Sequence, residues 1–259
     1  MNNVNKAQFQ KSDSEFHNKS SETQNHLRRL YEISHEMYGS YGVNWTNHIL
    51  STMPIGSINR LFFFNEIYKK IIDIPGVICE FGVQWGAGLA ILMNLRNLYE
   101  PHNISRKIFG FDTFQGFTAL DKKDGPLVQM GDYKTIDNYR QMLDEILTIH
   151  ESFTPKPHIK KFALIEGDAS KTIDQWLDEN PYAILSLCIF DMDVYQPTKD
   201  VLIKILPRLT RGSVLVFDEL NCDVLPGETL AVQEVLGLNQ LKLRKTEFQP
   251  FSSYAIFGD

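Results

Sequence analysis

The chain has 259 residues, of which 43% are hydrophobic and 22% charged. That length and balance suit one globular domain with a sizeable core and exclude a wholly disordered or fibrous chain. With 26 Lys+Arg against 32 Asp+Glu the formal charge is -6, the wrong sign for a dedicated nucleic-acid binder.

In chain order, residues 1–25 are polar and read as a flexible arm. Residues 26–259 read as one domain whose first part, 26–74, is a helical lid. Helices are predicted over Leu27–Tyr38 and Ile58–Ile72, the second stopped by Pro75-Gly76. A regular alternation then begins. Strands are predicted at Val77–Gly82, Lys107–Phe111, Ile159–Ile165, Ala183–Phe190 and Ser213–Phe217. Between and after them lie helices at Leu89–Tyr99, Asp137–His150, Thr172–Leu177, Pro197–Leu209 and Thr229–Leu236, with Thr113–Thr135 as a long loop. Two C-terminal strands, Leu241–Phe248 and Ser253–Phe257, are separated only by a turn containing Pro250, so an antiparallel pair is expected there. The expected fold is therefore α/β and Rossmann-like, a mostly parallel sheet with helices on both faces. No apolar run reaches the roughly 18 residues of a membrane span, and the polar first residues carry no secretory signal; the expected location is cytoplasmic. Cys79, Cys188 and Cys222 form no CxxC pair, and the first two sit in apolar runs as reduced core residues.

Five motifs fall at predicted strand ends. Glu80-Phe81-Gly82-Val83-Gln84-Trp85-Gly86-Ala87-Gly88 leaves a strand and opens a helix. Its glycines permit a tight turn and close approach of a ligand, and the helix start offers free N–H groups. The spacing GxxxGxG departs from the dinucleotide fingerprint and favours a nucleoside with a charged amino-acid tail; the competing reading is a tight turn with no ligand. Asp112, in Phe111-Asp112-Thr113-Phe114, can accept both hydroxyls of a ribose or simply cap a turn. Asp168, in Glu166-Gly167-Asp168-Ala169, can read an adenine edge, cap the next helix, or do both. Asp191-Met192-Asp193 follows an apolar strand, and on extended chain an i, i+2 pair puts both carboxylates on one face; the competing reading is a pair of solvated loop acids with Asp193 as a helix cap. Asp218-Glu219 repeats the theme after Val214–Phe217. Strands of a doubly wound sheet deliver these ends to one edge, so Asp191, Asp218 and Glu219 are a candidate hard-oxygen set for Mg²⁺. The seven histidines are scattered, none after the third strand, which leaves a Ser-His-Asp triad poorly supported.

From Pro75 to Asp259 these residues resemble the class I S-adenosylmethionine-dependent methyltransferases, and within them the macrocin and mycinamicin type of sugar O-methyltransferase. The resemblance rests on Glu80–Gly88, on Phe111-Asp112-Thr113-Phe114-Gln115-Gly116-Phe117, and on Asp191–Thr198 with Asp218. The stretch from Phe217-Asp218-Glu219-Leu220 to Leu238 is also similar to a sugar methyltransferase of calicheamicin biosynthesis. The resemblance implies a seven-stranded sheet and Mg²⁺-assisted methyl transfer to a deoxysugar hydroxyl in natural-product biosynthesis, leaving S-adenosyl-L-homocysteine. By position it implies that Glu80, Gly82 and Gly88 border the methionine part of the cofactor, with Phe81, Trp85 and Gly86 also at the cofactor. Asp112 would hold the ribose and Asp168 would lie near the adenine, with Thr113, Phe114, Gly167 and Ala169 also at the cofactor. Asp191 would sit between cofactor and metal; Asp191, Asp218 and Glu219 would bind Mg²⁺; Asp193 would be the general base. Glu219 stands where the family usually has aspartate. The implied partners are a glycoside or nucleotide-sugar acceptor and a second copy of the chain, with no nucleic acid and no membrane. The rivals are a metal-dependent catechol or phenol O-methyltransferase, a non-catalytic S-adenosylmethionine binder, and a nicotinamide enzyme, which the glycine spacing disfavours.

Overall fold

A computed structural model describes residues 21–249 and 251–259. Most of the expected N-terminal arm lies outside the described residues, as does Pro250. The remainder of the arm is helical: α1 covers Ser21–Tyr41, beginning well before Leu27. The chain forms two compact units, one ending at Arg60 and one spanning Leu61–Asp259. In the first, α1 is followed by short 3-10 turns, and Tyr38 Oη and Thr52 Oγ1 share a hydrogen bond of 2.9 Å. Helix α2, Ile55–Lys69, runs across the division.

The second unit is an α/β sandwich. Its strands are β1 (Val77–Phe81), β2 (Ile108–Asp112), β3 (Phe162–Glu166), β4 (Leu185–Phe190), β5 (Leu209–Phe217) and β6 (Ser253–Ile256). They form a six-stranded sheet in the order β3-β2-β1-β4-β5-β6, parallel except for β6 against β5. Its helices after α2 are α3 (Ala87–Tyr99), α4 (Tyr139–Ser152), α5 (Ala169–Glu179), α6 (Tyr195–Ile205) and α7 (Gly227–Val235).

Alternation along the strands builds two cores. Ile78, Ile108, Leu187, Ile189, Val214 and Val216 face Phe63, Phe64 and Ile67 of α2 with α3 and α4. Cys79, Phe81, Phe111, Cys188, Phe190 and Phe217 face α5, α6 and α7. β1 and β4 are buried on both faces, the condition of central parallel strands. Cys79 and Cys188 are adjacent, free and fully buried, and burial pushes both thiols up.

The expected strand Leu241–Phe248 does not form, and the sheet has six strands rather than seven. Only Arg244 bridges to Tyr254. Lys242 and Lys245 are exposed, Leu243 is exposed too, and Phe248 turns aside to pack its ring, tilted, against that of Phe62 with centroids 5.2 Å apart. An edge segment so charged has little apolar face to hold it against the sheet. Among the described residues no helix is long and apolar enough to cross a membrane.

Candidate active site

Every parallel strand ends at the same edge, and the backbone is tightest there. Gln84, Phe114, Asp193 and Asn221 all carry positive φ, at 45°, 55°, 62° and 63°, in the segments after β1, β2, β4 and β5. Such conformations are costly for residues with a Cβ and persist where surrounding structure holds them.

Asp112 holds two of them. Its Oδ2 accepts from the N–H groups of Val83 and Gln84 at 2.7 and 2.8 Å, and its Oδ1 from Phe114 N–H at 2.5 Å. The carboxylate thus caps the Thr113–Phe114 turn, the alternative weighed for it, and also ties that turn to the glycine loop, which sequence reading did not foresee. Thr113 closes that turn by donating Oγ1–H to the Gly116 carbonyl at 2.8 Å.

The glycines line the loop because side chains would not fit. A Cβ on Gly82, at φ +90°, would come within 1.8 Å of the Asp191 carbonyl oxygen. One on Gly88 would come within 1.9 Å of Glu80 Oε1, so the buried Glu80 carboxylate lies against the first turn of α3. Gly86, at φ +76°, occupies the position before that helix. Phe81 is core, stacked on Phe111 and Phe190. Trp85 is 45% exposed, its carbonyl accepting from Tyr139 Oη–H at 2.9 Å.

Asp168 acts as helix cap, the alternative weighed for it. Its Oδ1 accepts from Ser170 N–H and Oγ–H at 3.0 and 2.7 Å. Burial raises its pKa, but the Ser170 hydrogen bonds and Lys171 outweigh that and hold it below the usual range. Gly167, at φ +132°, makes the turn from β3, and Ala169 starts α5 as part of the core.

The acids after β4 and β5 gather electrostatically. Asp193 is 7% exposed. Burial, then the charges of Glu219, Asp191, Glu228 and Asp218, push it well above the ordinary carboxylate range. The pairing with Asp191 does not arise from extended chain: β4 ends at Phe190, and Val194 N–H returns to the Met192 carbonyl at 2.7 Å across a three-residue turn. Asp218 Oδ1 accepts from Ser252 Oγ–H at 2.5 Å. Among the described residues no three His, Cys, Asp or Glu side chains are arranged as a metal-holding group, so the expected convergence of Asp191, Asp218 and Glu219 into a ready ligand set is not found.

The model of the family described as macrocin O-methyltransferase (TylF) matches residues 3–242. The chain belongs to the macrocin O-methyltransferase family. The solved structure of CalS11, a calicheamicin methyltransferase, is 35% identical, covers 93% of this chain and 95% of its own, and superposes with a TM-score of 0.88. A second CalS11 structure, titled a TDP-rhamnose 3'-O-methyltransferase, is 33% identical at TM-score 0.81, covering 93% and 96%. The mycinamicin III 3''-O-methyltransferase of Micromonospora griseorubida is 25% identical over 154 residues, 56% of each chain, so the chain spans a little over half the length of that curated relative. The class I methyltransferase fold expected from sequence is thereby established.

Two acids of this family member escape sequence reading. Glu228 is fully buried in the first turn of α7, and its Oε1 accepts from Glu219 N–H at 3.0 Å. Burial pushes its pKa well above the usual range, with Glu219, Asp218 and Asp191 adding to the rise. Its other oxygen, Oε2, accepts no hydrogen bond. Asp124, 1% exposed, comes from the long loop between β2 and α4. Glu228 had one faint signal, its place after Pro226-Gly227 at a helix start; Asp124 sits in Lys-Lys-Asp-Gly, which reads as solvated loop.

Proposed function

We propose that the chain is an S-adenosyl-L-methionine-dependent O-methyltransferase that methylates a hydroxyl of a deoxysugar, carried as a nucleotide sugar or glycoside, in natural-product biosynthesis. The observation that carries this reading is the glycine loop and the buried acids standing at one sheet edge in a member of this family. The CalS11 relative, titled a TDP-rhamnose 3'-O-methyltransferase, supports a sugar acceptor.

The loop suits the cofactor: Gly82 and Gly88 carry no side chain and pack directly against the Asp191 carbonyl and the Glu80 carboxylate, which keeps both acids close to the start of α3. When bound, S-adenosylmethionine supplies an electrophilic methyl on sulfur and leaves as S-adenosylhomocysteine. Glu80 offers negative charge to the methionine part, and Asp112, already fixed by three backbone donors, presents its one remaining acceptor site, on Oδ1, to a ribose hydroxyl. Asp168 and its neighbours Gly167 and Ala169 border the adenine. In-line displacement demands that the acceptor oxygen be held on the axis of the breaking bond. Asp193 accepts the hydroxyl proton as that oxygen attacks. A carboxylate with a raised pKa is a stronger base, better matched to a poor acid such as a sugar hydroxyl.

The donor chemistry also suits a divalent cation, since the two buried carboxylates, Asp193 and Glu228, are raised by burial and by the charges of Asp191, Asp218 and Glu219 around them, and Glu228 Oε2 lacks a donor. Asp191, Asp218 and Glu219 would hold it, after side-chain movement, and it would offset their charge and acidify an oxygen beside it.

The test is methyl transfer by the purified protein to nucleotide sugars, glycosides and catechols, with and without EDTA. A methylated deoxysugar, lost on chelation, is expected. Catechol methylation alone would overturn the acceptor. Activity indifferent to EDTA would remove the metal. Cofactor binding with no turnover on any acceptor would leave a silent binder.

A further inference from the structure

Asp193, at φ 62°, is the strained centre of the turn that leads into α6. Helix α6 has no cap from its own sequence: Val194 stands at the N-cap and offers no side-chain acceptor. The acceptor comes from far along the chain. Asp124 Oδ1 accepts from Tyr195 N–H at 2.6 Å, and Asp124 Oδ2 accepts from Asp121 N–H at 2.5 Å. Room for this contact is made by Gly227 of α7, where a Cβ would stand 2.6 Å from Asp124 Oδ1, 2.7 Å from Tyr195 N and 3.0 Å from the Asp193 carbonyl oxygen. A buried carboxylate at the first turn of a helix also meets the positive end of its dipole.

We propose that Asp124 is a positioning residue, pinning the Asp193–Tyr195 backbone so that the Asp193 carboxylate is held in its strained, productive orientation. The pin joins the β2–α4 loop to the acid edge, so movement of that loop is felt at Asp193. The outer side of the same contact is secured by Lys123, which lies 4.0 Å over the Tyr195 ring and pairs with Glu234. The proposal rests on Asp193 acting as base in the reading above.

Asp124→Ala is expected to lower kcat on the order of 10²-fold, the size of effect that slight misplacement of a reacting group produces. Cofactor affinity should be unchanged, because the glycine loop and Asp112 are untouched. Asp124→Asn, which keeps an acceptor for Tyr195 N–H, should recover part of the loss. Gly227→Ala, which leaves Asp124 in place but crowds it, should reproduce the kcat defect. Hydrogen exchange of the amides of 193–196 should accelerate in Asp124→Ala while β4 stays protected. An unchanged kcat, or equal losses of kcat, cofactor affinity and melting temperature, would overturn the positioning role. Unaltered exchange at 193–196 would overturn the pin itself. If the wild-type protein methylates no acceptor, the reading of function fails, and the exchange measurement still decides the pin.

Discussion

The two edges of the sheet both bury charge, and they treat it in opposite ways. At the amino edge each buried cation is matched. Arg106 pairs with Glu100 at 2.9 Å and donates to the carbonyls of Ile71, Ile74 and Gly76 at 2.8, 2.8 and 2.9 Å. Arg96 and Lys161 both meet Glu151, at 2.9 and 2.6 Å. At the carboxyl edge the buried charge has one sign: Asp193 and Glu228 lie among Asp191, Asp218 and Glu219. Matched charge ties the strand beginnings together. Like charge is costly to bury and is retained where a proton or cation is to be handled.

The largest loss of stability is expected at the amino edge. Arg96→Ala removes one cation from Glu151 and the donor to the Lys161 carbonyl. Breaking a buried pair costs about 3–5 kcal/mol. Chemical denaturation should show a loss of that size, and a loss near zero would mean that the amino edge is not held by its pairs. Gly88→Ala acts at the other edge. Its Cβ must displace Glu80 Oε1 or shift α3, at a cost of about 1–3 kcal/mol for overpacking. Calorimetry should show weaker binding of S-adenosylhomocysteine; unaltered affinity would remove Glu80 from the cofactor site. The smallest effect is in pH. Burial raises the Glu151 pKa, but Lys161 and Arg96 outweigh that and hold it below the ordinary range of a glutamate. A depressed folded pKa contributes stability that is complete above the unfolded value and lost as pH falls through the folded one. Between about pH 6 and about pH 3 the melting temperature of Glu151→Gln should therefore fall less than that of the wild type. Parallel curves would show that Glu151 contributes nothing to acid unfolding.

The contrast between edges also explains what sequence reading could reach. Strand ends at Glu80, Asp112, Asp191 and Asp218 are legible because an acid directly after a buried apolar run breaks the pattern conspicuously. The glycine loop is legible from its spacing. The amino edge is silent: Arg96, Arg106 and Lys161 look like ordinary solvated cations, since burial of such residues depends on partners distant in sequence, Glu151 being 55 residues from Arg96. Glu228 and Asp124 are hidden for the same reason, one posing as a favourable acid at a helix start and the other as a loop residue. Leu241–Phe248 misleads in the reverse direction, because its alternating leucines imitate a strand that its lysines and the turn of Phe248 prevent.

If buried like charge at the carboxyl edge serves chemistry rather than stability, Asp193→Asn will separate the two. Melting temperature, affinity for S-adenosylhomocysteine and kcat on the accepted sugar should be measured on the same preparation. Loss of a general base predicts kcat lower by about 10²–10⁴-fold, with cofactor affinity retained and melting temperature equal or higher. Near-normal kcat would contradict the claim, as would a protein that unfolds without the Asp193 charge.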